Sequence, residues 1–389
     1  MRWLSMKTVL TLLTLLALLS PATLAAAGAP HWQAVVQHGD VPPPLYEAGI
    51  SFSREGNEAD TLYRFAGVRE IAGEDSLVND FYALDLDTFT WKNLGSPQTP
   101  AARANAQMIP GPCVHCVSVV GGRGDFRTGV MFPEMQTYHI KTGRWEPVPA
   151  DQLGTSFAVQ RAAGLVVEVP EPHGKKTTIY VFGGVGNTQP RFPTTPTGLH
   201  DDVAVYDSHS GWRIVETSGV KPAPRAWMTG GYDPATHSLL VFGGYRLGLD
   251  QGPDTPGSEL FGPTNYTNDL WSLNLDTFTW TELHPTGPLP SPRDNVSAFF
   301  DTAHGWLVIF GGGQFDGAVN DLWYYSRAQN RWTQVAFAPG APVPPGRTGS
   351  VSFLRETDDA FELFLHGGTT GEPDGDLLND LWKLTWPKD

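Results

Sequence analysis

An apolar run closed by two glycines occurs five times along this 389-residue chain, and any fold must accommodate that repeat. The copies are VSVVGG ending at Gly122, IYVFGG at Gly184, LLVFGG at Gly244, LVIFGG at Gly312 and LFLHGG at Gly368. A worn copy, LYRFAG, ends at Gly67. Successive final glycines lie 55, 62, 60, 68 and 56 residues apart. Self-similarity on this scale is the mark of stacked or radial repeats. Two further signals keep step with it. Asn-Asp or Asp-Asp followed by alternating apolar residues begins at Asn79, Asp201, Asn268, Asn320 and Asn379, and the second repeat has only EMQTYHI. A tryptophan opens another short apolar segment at Trp91, Trp145, Trp212, Trp280 and Trp332, and the segments LDTFTW ending at Trp91 and Trp280 are identical.

Each signal has a physical reading. The runs before Gly-Gly are β-branched and aromatic, as buried strands are, and too short for helices. The glycines let the backbone turn and pack closely as the strand leaves the core. Asn-Asp makes a turn, Leu-Trp-x-Leu alternates as a half-buried strand, and the Trp of the following short segment covers the outer layer. A Pro-x-Arg-led segment before each Gly-Gly strand completes four strands per repeat, one blade of a β-propeller. Composition agrees, since Gly 43 and Pro 33 together approach a fifth of the chain, which excludes a helical bundle.

The order apolar-Gly-Gly, Asn-Asp-Leu-Trp, Thr-x-x-Trp, Pro-x-x-Pro-Arg resembles kelch repeats, including those of the galactose oxidase central domain. The resemblance runs from Pro30 to the C-terminus. Six Gly-Gly-type strands and six third strands are present, but only five internal Trp strands. The missing outer strand stands at the other end, as His31-Trp32-Gln33-Ala34-Val35 followed by Pro42-Pro43-Pro44. The expected fold is therefore all-β, a six-bladed kelch-type β-propeller of four-stranded antiparallel blades, the last closed by the N-terminal strand. Residues 28–389 form one domain, overriding the usual 100–200 residues per domain.

Residues 1–27 read as a signal peptide. Arg2 and Lys7 precede the apolar run from Val9 to Leu19, Pro21 breaks it, and Ala25-Ala26-Ala27 supplies small residues for cleavage. The run is short for a membrane span, and no second one follows. We expect a secreted or extracellular protein, periplasmic in a Gram-negative source, without membrane insertion and monomeric. A formal charge of −15 with no basic runs excludes nucleic acid as a first partner. Cys113 and Cys116 are the only cysteines, spaced C-x-x-C. In an oxidising compartment a local disulfide is the plain reading. A redox pair would want a helix, and a zinc site would need two further ligands, of which only His115 is nearby.

The resemblance implies that ligands bind on the face carrying the loops after each Gly-Gly. The longest runs from Tyr245 to Thr267 and contains Phe261 and Tyr266; the next, Val185 to His200, carries Arg191 and Phe192. Long loops on a rigid ring are where specificity resides. Arg103, Arg225, Arg293 and Arg347 end the inter-blade motif, and by resemblance the position reaches the channel mouth. Such a ring of guanidiniums suits a carboxylate, or else each Arg fastens blades by pairing with an Asp or a carbonyl. Arg123-Gly124-Asp125 falls in a loop of the same face, where the tripeptide could signal adhesion. Asn265-Tyr266-Thr267 and Asn295-Val296-Ser297 fit glycosylation acceptors in a eukaryotic source. The expectation is a secreted binding protein for a protein or acidic glycan, with no cofactor and no metal. The alternative is an exported sugar epimerase or mutarotase, with His200, Asp201 and Asp202 as candidates by location. A copper oxidase like galactose oxidase is less favoured, because that family draws a ligand from a further C-terminal domain.

Overall fold

The repeat folds as the alternation requires, each copy into a sheet whose strands run first to last from the axis outward. The computed structural model describes residues 29–53, 61–71, 74–113, 115–124, 131–149, 161–170, 177–186, 198–207, 210–246, 263–371 and 375–388. The segment expected to be a signal peptide, residues 1–27, lies outside them. Blade 1 comprises Gly49–Ser53, Thr61–Ile71, Glu74–Asp85 and Thr90–Asn93. Blade 2 comprises Gln107–Pro110, Cys116–Val120, Met135–His139 and Arg144–Pro147. Blade 3 is Leu165–Pro170, Thr177–Phe182, Val203–Asp207 and Gly211–Val215. Blade 4 is Thr229–Asp233, Ser238–Tyr245, Tyr266–Asn274 and Thr279–Leu283. Blade 5 is Ser297–Asp301, Trp306–Phe310, Leu322–Ser326 and Arg331–Val335. Blade 6 is Val351–Glu356, Ala360–His366, Leu381–Pro387 and, outermost, His31–Val35.

The N-terminal strand thus closes the last blade, pairing antiparallel with His31 opposite Thr385 and Val35 opposite Leu381. The innermost strand of blade 6 touches that of blade 1, so the ring is complete. Blade 1 adds one feature to the expected four strands. His38–Gly39 lies parallel to Thr90 and Trp91 as a fifth, two-residue strand. The chain leaving one blade leans on the outer strand of the next before turning inward. The same parallel contact recurs as single bridges, Ser218 with Thr279 and Thr286 with Arg331.

Among the described residues, six large buried clusters hold the ring, each made by one pair of neighbouring blades, and a smaller one gathers Tyr46, Val68 and Ala104. The outer-strand tryptophans are part of them, which corrects the expectation that they cover an outer layer. Trp32, Trp91, Trp145, Trp212, Trp280 and Trp332 are all buried. Each wedges against the preceding blade at the residue just before its glycines. Trp145 meets Phe65, Trp280 meets Phe182, Trp332 meets Phe242 and Trp32 meets Phe310, with ring centroids 4.6–5.8 Å apart. Trp212 shares a cluster with Val120. At the seam between blades 6 and 1 the apolar residue is replaced, and Trp91 packs on His366 at 4.9 Å. Rings of this size bury large apolar areas, which suits them to the seams between blades.

The paired glycines are explained by what surrounds them. The first of each pair has φ 59–69° and the second 91–106°, backbone that side chains rarely adopt. A Cβ on Gly184 or Gly244 would lie 2.7–2.8 Å from the carbonyl oxygen of Ala162 or Ala226. The amide of the second glycine instead donates to the next blade: Gly67 to Arg103, Gly122 to Arg161, Gly184 to Arg225, Gly244 to Arg293, and Gly312 to Arg347. Gly368 donates to Leu45, so Leu45 holds the Arg position in blade 1. In that blade Ala66 takes the first glycine's place at φ 63°.

Candidate binding site at the channel mouth

The four arginines expected at the mouth are instead inside the blades. Arg103 has no exposed surface, and Arg225, Arg293 and Arg347 are 1% exposed. Their Nη1 atoms donate to the carbonyls of Gly121, Gly243, Gly311 and Gly367, the first glycine of the same blade. Three grip the Asp of Asn-Asp-Leu-Trp with two hydrogen bonds, Arg225 to Asp269, Arg293 to Asp321 and Arg347 to Asp380. Arg103 reaches Glu134 at 2.7 Å, and lies 3.7 Å from the Phe132 ring centroid. Burial alone would raise the carboxyls of Asp269, Asp321 and Asp380. The arginine bonds and charge, with an indole N–H from Trp271, Trp323 or Trp382, outweigh it and hold them below the usual range. A guanidinium so enclosed and paired is a fastener, so the anion-binding ring is replaced by the second reading of those residues. Blade 3 has the same device in Arg161, which pairs with Asp202 and the Gly183 carbonyl. The catalytic candidates by location, His200 and Asp202, belong to it: His200 Nδ1 is 3.2 Å from Asp202. Asp201 pairs with Lys221 at 2.8 Å.

Two residues beyond each fastener position, a second sixfold set surrounds the axis. Glu47, Asn105, Ala163, Trp227, Asn295 and Gly349 all have left-handed backbone, φ 48–63°. Their main chains bond head to tail. The amide of Asn105 donates to Glu47, Ala163 to Asn105, Trp227 to Ala163, Asn295 to Trp227, and Glu47 to Gly349, at 2.8–3.3 Å. This hoop frames a central cavity of about 1180 Å³ that all six residues line. Five of the six carry a side chain where glycine would avoid a left-handed penalty of roughly 1 kcal/mol or more each.

The side chains of Glu47, Trp227 and Asn105 form a chain of contacts with Arg123. Arg123 Nη2 donates to Glu47 Oε2 at 2.7 Å, and its guanidinium is 5.9 Å from the Trp227 ring centroid. Trp227 Nε1 donates to Asn105 Oδ1 at 3.3 Å, although one residue is in blade 4 and the other in blade 2. Behind the indole, Tyr245 meets Trp227 edge-on at 6.0 Å and Tyr266 at 5.4 Å. Asn265 Nδ2 donates to the Tyr245 hydroxyl, and burial raises the Tyr245 phenol above its ordinary pKa. Glu47 is nearly enclosed, whereas Arg123, Trp227, Asn105 and Tyr266 are half-buried. The cavity lining has two carboxylates, Glu47 and Glu168.

Of the residues expected at the site, Arg123 reaches Glu47 of the hoop, and Tyr266 packs on Tyr245 behind the Trp227 indole. Arg191 and Phe261 lie outside the described residues, as does Asp125. Gly124 is described, and the arginine of that tripeptide is engaged with Glu47. Asn265 is 3% exposed with its amide on Tyr245, and Asn295 is half-buried in the hoop, so neither is a displayed glycosylation acceptor. Cys113 and Cys116 form the expected disulfide. The reading missed Glu47, Asn105 and Trp227. Aligning the repeats on the fastener position exposes the signal: two residues on, Glu47, Asn105, Ala163, Trp227, Asn295 and Gly349 stand in one column whose identity changes from blade to blade.

A six-bladed ring of four-stranded antiparallel blades around a central cavity defines a β-propeller. The chain belongs to the kelch-repeat family: residues 173–388 match the KLHDC2/KLHL20/DRC7 Kelch-repeats domain. It is similar to acyl-CoA-binding domain-containing protein 4 of Arabidopsis thaliana, 23% identical over 81% of this chain and 44% of that protein. It is also similar to human Kelch domain-containing protein 10, 28% identical over 65% of this chain and 50% of the relative. Kelch domain-containing protein 2 of Bos taurus is 26% identical over 64% and 57%. The chain spans about half the length of the curated relatives it matches. Propellers of this kind generally mediate protein binding. No helix among the described residues is long and apolar enough to cross a membrane.

Proposed function

We propose that this is an exported interaction protein, working as a single ring, that captures a protein or acidic glycan at the hoop end of its cavity. The observation that carries the reading is the Arg123–Glu47 pair laid beside the Trp227 indole. A half-buried indole offers a flat apolar face. Arg123 offers bidentate geometry to an incoming carboxylate able to compete with Glu47. Tryptophan and arginine in a concave, partly desolvated site are the side chains that dominate binding energy. Holding Trp227 in left-handed backbone is a cost the ring bears, consistent with use.

The export half of the reading rests on the first 27 residues and the disulfide. Its check is N-terminal sequencing of the protein recovered outside the cytoplasm, with a mature start near Gly28 expected. The binding half is tested by screening acidic glycans and acidic peptides against the mature chain. Trp227→Ala and Arg123→Ala should each weaken the selected ligand at least about tenfold, the equivalent of ~1.4 kcal/mol. Unchanged affinity in both variants would place the ligand elsewhere.

A further inference from the structure

The turn between the first two strands of blade 2 holds a cluster that the binding site does not use. Cys116 and His139 are directly opposed in neighbouring strands, so their side chains share one face of the sheet. His139 Nδ1 lies 3.4 Å from Cys116 Sγ and 3.9 Å from Cys113 Sγ. Its other nitrogen, Nε2, is 3.3 Å from Glu146 Oε2. A carboxylate acceptor there keeps a proton on Nε2 and leaves the Nδ1 lone pair facing the sulfurs. That is the arrangement by which second-sphere carboxylates orient metal-ligating imidazoles. Both cysteines line the central cavity, Cys113 exposed and Cys116 buried.

We propose that Cys113, Cys116 and His139 form a redox-gated site for a thiophilic divalent ion, Zn²⁺ in the first instance. Zn–S and Zn–N bonds of about 2.3 and 2.0–2.1 Å in a tetrahedron put sulfur and nitrogen about 3.6 Å apart. The two sulfur–nitrogen distances bracket that value. The disulfide is the closed form of the site. Two small thiols open it, supplying two electrons and leaving as their own disulfide, while Cys113 and Cys116 each gain a proton. Zn²⁺ then displaces those two protons and takes three protein ligands, with the fourth position open to the cavity. Three protein ligands and one open position is the pattern of accessible zinc sites.

The test uses the mature chain, oxidised or treated with a phosphine reductant, equilibrated with Zn²⁺, desalted and analysed for metal and free thiols. One zinc per reduced chain and none per oxidised chain is expected. Cys113→Ser and His139→Gln should abolish retention while leaving the circular dichroism of the blades intact. Glu146→Gln should weaken binding by about 10–100-fold. Reduced chain with two titratable thiols that retains no zinc would overturn the proposal. So would a His139→Gln variant that binds like the parent, or loss of the fold on reduction in the presence of zinc.

Discussion

Arg225 illustrates how a residue can be legible in sequence while its role is not. The Pro-x-Pro-Arg frame is plain, but the partners that define it, Gly243 and Asp269, stand 18 and 44 residues away. Arg161 escaped notice because Gln160 precedes it without the proline frame. Arg225→Ala leaves Asp269 facing a buried gap and should lower stability by about 3 kcal/mol in urea unfolding. A loss under about 1 kcal/mol would mean that water replaces the guanidinium. The seam offers a different test. Arg64 is fully buried among Tyr82, Trp91 and His366, donates to His366 Nδ1 at 3.0 Å, and is pulled by burial to a pKa of about 10. Burial, then the charges of Arg64 and Arg347, push His366 well below its ordinary value, so it stays neutral in the fold. An unfolded histidine takes a proton below about pH 6.5. The unfolded state then binds more protons, so stability is full above that pH and falls as pH drops below it. The limiting slope is about 1.4 kcal/mol per pH unit. His366→Gln, which keeps an acceptor for Arg64, should flatten the stability profile between about pH 6.5 and 4.5. An unaltered profile would show that the seam histidine is not its source.

At the scale of the element, counting strands was enough to place the N-terminal strand in blade 6. A radial repeat leaves an unpaired edge wherever a strand is missing, and the chain had one to spare. What covers each strand was harder to read. Alternation marks Trp280 as a face-defining residue but does not reveal that it is buried against Phe182 of the preceding blade, because neighbouring blades are joined only in space. The extra parallel strand His38–Gly39 carries no periodic signal, being two residues long. Removing residues 30–44 takes away Trp32 and its contact with Phe310, together with the whole outer strand. The truncated chain should lose several kcal/mol, since deleting one buried aromatic alone costs about 3–5 kcal/mol. An unchanged melting temperature would contradict the observed closure.

Over the whole molecule, fold and site were unequally legible. The ring repeats, and repetition is what a single sequence displays best. The mouth is built from positions where the repeat breaks: Glu47, Trp227 and two asparagines occupy one structural column. They meet only because six blades curve round to a common axis. The pairing that closes the ring has a mechanical consequence. His31 lies beside Thr385 and Val35 beside Leu381, so the two chain ends leave blade 6 from the same end of one antiparallel ladder. Tension applied to them would load its hydrogen bonds in succession, as in a zipper, rather than all together in shear. Under force the ring would part at low load along this one line, the other five blades still assembled behind it.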